Sequence, residues 1–306
     1  MTRFILIGVS ALALTATAAF AQSNTSNVTQ SNSGNAATVN QSGSNGKSDV
    51  LQTGASNGAL VNQSGNLNDV DIDQTGNTNT ARVDFQSGSN NKSKIEQAGN
   101  SSFAQSDQRG TNGTSTISQG IEGADRAIVN QRGDSAESMI TQGGRDNNAD
   151  VFQNGNNTSI VNQSGTGVGV GGGQLAFVQQ IGDANTSAVN QSGQGNDAGG
   201  GAGMFLLGVD QLGDRNSSTI TQSAVGSGTD GGADAYVKQT GDDHTSSISQ
   251  TGTGNYASVT QTGLDNESSI MQDGTNNSAT VSQGANGNIS AINQSGIGGT
   301  ATVTQN

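Results

Sequence analysis

NESSIMQDGTNNSATVSQGANGNISAINQSG, residues 266–296, returns to glutamine at Gln272, Gln283 and Gln294, with Ile270, Val281 and Ile292 two residues before them. A step of eleven residues suits either a right-handed helical supercoil or a strand and turn used over and over. The residues between the glutamines decide for the strand. Small and β-branched residues alternate with polar ones at period two, and Gly and Asn, which tolerate positive φ, follow each glutamine. A helix would carry Ala, Leu, Glu and Lys where this stretch has Gly, Ser, Thr and Asn.

The pattern continues outward in both directions. Glutamine recurs in 24 units from Gln30 to Gln305, and 17 of the 23 intervals are eleven residues long, so a single array accounts for nearly the whole chain. Val or Ile stands two residues before the glutamine in 22 of 24 units, and Gly stands two residues after it in 19 of the 23 that continue, which gives small-x-(V/I)-x-Q-x-G-x-x-N-x. The residue four before the glutamine separates alternate units: Ser in 11 of 12 odd units, as at Ser26 and Ser290, and Ala in 10 of 12 even units, as at Ala37 and Ala301. The structural repeat is therefore about 22 residues.

The expected fold is all-β, a β-solenoid of about twelve 22-residue strand-turn-strand repeats, with two stacked parallel sheets and an amyloid-like ladder. Facing strands run in opposite directions, so each large inward residue meets a small one. Successive coils about 4.8 Å apart place each glutamine over its copy, where the amide donates to one neighbour and accepts from the other. Insertions near 164–175, 192–204 and 223–233, and single added residues after Gln74 and Gln119, all follow odd units. They are expected as loops along one edge of the coil, and the first and last coils as near-consensus strands with open edges.

Bulk composition agrees with order that does not come from an oily core. Of the 306 residues, 29% are hydrophobic, with no Pro, Cys or Trp and a net charge of -13. Disulfides and metal thiolates are excluded, and the acidic balance disfavours nucleic acid and anionic lipid. Residues 1–21, with Arg3, an apolar run and an Ala19-Phe20-Ala21 end, read as a secretory signal peptide cleaved before Gln22. No apolar run in the mature chain reaches membrane-spanning length. The mature repeat region is then 22–306.

QTGTGNYASVTQ, residues 250–261, and QSGQGNDA, residues 191–198, carry the offsets of the curlin repeat: Gln, Gly two on, Gly four on, Asn five on, Ala seven on. The chain resembles the curlin family over all its repeats. That resemblance implies a secreted subunit of an extracellular amyloid fibre in a biofilm matrix, acting in adhesion and cell aggregation. It also implies partners: further copies of the chain, a curlin-type nucleator and an outer-membrane secretion pore. The stacking residues it points to are Gln30, Asn35, Gln41, Gln250, Asn255, Gln261, Gln272, Gln283, Asn288, Gln294 and Gln305. The alternative is a monomeric extracellular β-solenoid that binds polysaccharide or ice through a flat outward face.

Signals for other chemistry are weak. His244 occupies the slot where Asn recurs and reads as a turn residue. Asp69, Asp71 and Asp73 lack the Gly and the bidentate Glu of a calcium loop; they read as a solvated charge row that limits aggregation, with Asp71 beside Lys94 of the next coil. The glycine run 165–173 lacks the strand-helix setting and Lys of a phosphate loop. MFLLG, residues 204–208, reads as lateral loop packing or as a partner-binding patch near Phe177 and Tyr236. No catalytic constellation, cofactor or metal site is expected.

Overall fold

The computed structural model describes residues 23–166, 173–198, 208–225 and 232–306. Residues 1–21, expected as a signal peptide, lie outside these, as do most of MFLLG and parts of the three insertions. Every regular element among the described residues is a β-strand, and none is a helix. Strands of odd units pair only with odd-unit strands, in parallel and in register: Ser26 with Ser48, Val28 with Val50, Gln30 with Gln52. Even-unit strands do the same, Ala37 with Ala59 and Gln41 with Gln63. The chain is a β-solenoid of about twelve turns with two parallel sheets.

It divides into two compact units, 1–143 and 144–306. In the first, six odd strands run from Thr25–Ser31 to Glu137–Arg145, and five even strands from Ala36–Gln41 to Arg126–Gln131. In the second, six odd strands run from Thr158–Thr166 to Ile289–Ile297, and seven even rungs from Asn148–Asn154 to Thr300–Gln305. One of those rungs is split. Asp197–Ala198 pairs with Leu175 and Ala176, and Val209–Leu212 pairs with Val178–Ile181. The described part of this rung is thus interrupted between Ala198 and Val209, and residues 199–207 lie outside the described residues.

Inside each unit the inward columns are sealed. Ile72, Ile95 and Ile117 are fully buried, as are Val189, Ile220 and Ile248. Glutamine amides cross between the sheets: Gln52 Nε2 donates to the Ala36 carbonyl at 3.2 Å, and Gln63 Nε2 to the Lys47 carbonyl at 3.0 Å. Each glutamine thus lies over the start of the facing strand, where Ser or Ala leaves room for it. The serine hydroxyls are less well served. Those of Ser48, Ser93 and Ser115 are buried with no hydrogen-bond partner, so size rather than polarity accounts for serine there.

The turns explain the glycine two after the glutamine. Gly54 has φ of +114°, and a Cβ on it would collide with the carbonyl oxygen of Gly76 in the next coil. Two residues further on, the chain takes positive φ even without glycine, at Ser56, Leu67 and Thr78. Glycine is required where coils touch, and only tolerated where the turn faces water.

The extra residue between Gln74 and Gln86 is a correction to the spacing argument. Ala81 and Val83 keep register with Ala59 and Val61, and the shift falls between Val83 and Gln86. The added residue is a β-bulge within the even strand Thr80–Ser89, not a longer turn.

Candidate functional site

The odd-sheet glutamines of the first unit form one directed chain of amides. Gln30 Nε2 donates to Gln52 Oε1 at 2.6 Å, Gln52 to Gln74 at 2.7 Å, Gln74 to Gln97 at 2.8 Å and Gln97 to Gln119 at 2.8 Å. In the second unit Gln222 donates to Gln250, Gln250 to Gln272 and Gln272 to Gln294. The even sheet repeats this, with Gln41 donating to Gln63, Gln239 to Gln261, Gln261 to Gln283 and Gln283 to Gln305. Each of these glutamine-to-glutamine hydrogen bonds runs from an earlier coil to a later one. Buried amides are costly unless both ends are satisfied, and this single direction satisfies the donor and the acceptor of each interior amide.

The turn asparagines form a second ladder. Asn35 Nδ2 donates to the Ser31 carbonyl of its own turn at 2.7 Å and to the Gly54 carbonyl of the next coil at 2.8 Å, while its Oδ1 accepts from the Asn57 backbone N–H at 2.9 Å. Asn255 does the same toward Thr251, Gly274 and Asn277. Asn288, in the last coil, closes only its own turn on Ala285 and takes the Asn266 oxygen through its N–H. His244 is fully buried in this ladder and copies asparagine: Nδ1 accepts from the Asn266 N–H at 3.3 Å and Nε2 donates to the Thr240 carbonyl at 3.2 Å. It is a turn residue with both nitrogens engaged.

The two outward faces differ. Asp69, Asp71 and Asp73 lie in register with Lys92, Lys94 and Glu96 on the odd sheet. Asp71 does stand opposite Lys94, but the Lys94 ammonium bridges to Glu96 at 2.6 Å, two residues along its own strand. Burial, with the charges of Asp71 and Glu96, raises the Asp73 carboxyl above its ordinary range. A carboxyl whose folded-state pKa is raised penalises the folded state while ionised, and the penalty lifts as pH falls through that pKa. Asp73→Asn is therefore expected to raise the urea midpoint at neutral pH, with the gain over wild type vanishing toward pH about 3, below the ordinary carboxylate range.

All six aromatic residues among the described ones, Phe85, Phe103, Phe152, Phe177, Tyr236 and Tyr256, stand at outward positions of even strands. The odd strands carry none. No helix among the described residues is long and apolar enough to cross a membrane.

The family model described as the curlin associated repeat matches this chain at residues 48–76, 65–99 and 247–274. A comparison with curated proteins returns no match. The matched segments are strands and turns of the ladder just described, and the same register extends through the unmatched coils. That family is a structural rather than an enzymatic one. Over those matched segments, and in the repeating strand-turn fold that carries them, the chain is similar to the curlin-repeat family.

Proposed function

We propose that this chain is a secreted, self-assembling curlin-type subunit of an extracellular amyloid fibre in a biofilm matrix, serving adhesion and cell aggregation. The observation that carries this reading is the directed, in-register glutamine ladder inside each unit, which a further copy could continue. Among the described residues Ile289–Ile297 and Thr300–Gln305 pair on one side only. Val303 and Gln305 remain partly exposed, and Gln294 accepts from Gln272 but donates to no described group. Such an edge is a template for a further parallel strand.

The ladder also gives the addition a direction. The last rung offers amide donors, while Gln41 Oε1 in the even sheet's first rung accepts from no described group. Copies therefore add head to tail, a heterologous contact that generates an open filament rather than a closed dimer. On this reading the partners are further copies, a curlin-type nucleator and an outer-membrane pore, and the sites of addition include Gln30, Asn35, Gln41, Asn288, Gln294 and Gln305.

Gly296 supplies the test. It has φ of +109°, and a Cβ there meets nothing within 4 Å, whereas its counterpart Gly274 would strike the Gly296 carbonyl. Gly296→Ala is expected to fold, at a cost of about 1–2 kcal/mol for the left-handed alanine, yet to lose elongation at this edge, seen as stalled growth of seeded filaments. Growth of Gly296→Ala at the wild-type rate, or a wild-type chain that stays monomeric at every concentration, would overturn the reading.

A further inference from the structure

The units of Gln86 and Gln108 are the two that lack Val or Ile two residues before the glutamine, and they are neighbours in the even sheet. The first holds the bulge and the second has Ser106 where Val129 stands in the next rung. At the bulge Asn62 alone faces two residues, Asp84 and Phe85. The displaced backbone N–H of Phe85 is held by Asp107 Oδ1 at 3.2 Å, and Gln105 fixes the other carboxylate oxygen at 3.0 Å. Arg109 lies over the Phe85 ring, 4.9 Å from its centre, and the ring remains 55% exposed.

Beside this ring runs a groove of about 260 Å³, lined by Asn40, Asn62, Ser42, Ser64, Asp84 and Phe85 together with the two glutamines below. Its polar groups are ordered. Asn40 donates to Asn62 Oδ1 at 2.8 Å, which orients the Asn62 amide so that its Nδ2 donates to no described group. Arg82 takes Asp84 Oδ1 through both Nε at 3.0 Å and Nη2 at 2.9 Å, and Asp84 Oδ2 accepts from no described group. An oriented donor and a carboxylate acceptor therefore stand next to an exposed aromatic face.

We propose that this groove binds a neutral sugar unit of a glycan. Adjacent hydroxyls on a sugar ring each donate and accept, which suits one carboxylate oxygen and one amide N–H. The C–H face of the ring packs on the electron-rich aromatic face. Anionic groups are disfavoured by Asp84, and a purely apolar ligand would strand both polar groups without partners. The volume suits one or two sugar rings, held shallowly. The inference is independent of how copies add to one another, because the groove lies wholly within the first unit.

The test is equilibrium dialysis of the full mature chain, soluble or assembled, against labelled neutral oligosaccharides of glucose, mannose, galactose and N-acetylglucosamine, with oligogalacturonate as the charged comparison. At least one neutral probe is expected to bind. Phe85→Ala should weaken it by about tenfold or more and Asn62→Ala measurably, whereas Phe177→Ala, another outward even-strand aromatic, leaves it unchanged. All three side chains lie on the outer face, so circular dichroism should show the wild-type β-fold in each variant. Absence of binding by every neutral probe, binding of oligogalacturonate alone, or equal binding by Phe85→Ala and wild type would overturn the proposal.

Discussion

Gln97→Ala is expected to destabilise the fold by about 3–5 kcal/mol, a loss typical of a buried truncation that also strands polar partners. Gln97 accepts from Gln74 at 2.8 Å, donates to Gln119 at 2.8 Å and crosses to the Thr80 carbonyl at 3.1 Å. Alanine leaves a cavity where it stood, and the Gln119 oxygen loses its donor. Gln97→Leu fills the volume but strands the same groups, so it should recover only part of the loss. Gln305→Ala, at a partly exposed edge, should cost under about 1 kcal/mol. Urea midpoints of the three variants check this ordering; equal midpoints for Gln97→Ala and Gln305→Ala would show that the interior ladder contributes no more than its edge.

The second large effect is expected at Gly54. Its alanine variant combines a left-handed φ of +114° with a collision against the Gly76 carbonyl of the next coil. The carbonyl is backbone held in the coil stack, so it cannot swing aside as a flexible side chain would. Two coils must separate, and the Asn35 bond to the Gly54 carbonyl at 2.8 Å goes with them. We expect a loss of at least about 3 kcal/mol, beyond the roughly 1–2 kcal/mol of the left-handed residue alone. Gly296→Ala has the same backbone conformation without the collision. The difference between the two thermal midpoints therefore measures coil-to-coil contact directly, and a difference near zero would place the whole cost in φ.

Comparing these two glycines also separates folding from assembly. Gly54 meets its neighbour in the next coil, whereas Gly296 meets none among the described residues and, on the proposed reading, would meet one in a following copy. A substitution that is fatal in the middle of the stack becomes a cap at its edge.

Much of the fold was legible from side-chain identity. The alternation of Ser26 and Ala37 before successive glutamines disclosed the 22-residue coil, because facing strands need a small residue opposite a large one. Recurrence of glutamine disclosed its ladder, because a buried amide survives only when its copy lies in hydrogen-bond reach; stacking of the asparagines was implied only by the resemblance to the curlin repeat. Even His244 was readable as an occupant of the asparagine slot, although that both its nitrogens reproduce the amide's bonds was not.

Other features depend on backbone displacement and rotamers, which intervals between residues do not record. An added residue between Gln74 and Gln86 lengthens the interval equally in a turn or in a strand; only the pairing of Val83 with Val61 places it in the strand, and with it the groove at Phe85. Asp71 and Lys94 were placed side by side correctly, yet the ammonium goes to Glu96, since residues two apart on one strand share a face as closely as residues across coils. The sequence by itself determined the coil, its inward columns and the amide partners, all set by period. Tertiary structure alone decided the direction of the amide chain, the bulge and the polar groove, because each arises from how one coil's backbone sits on the next.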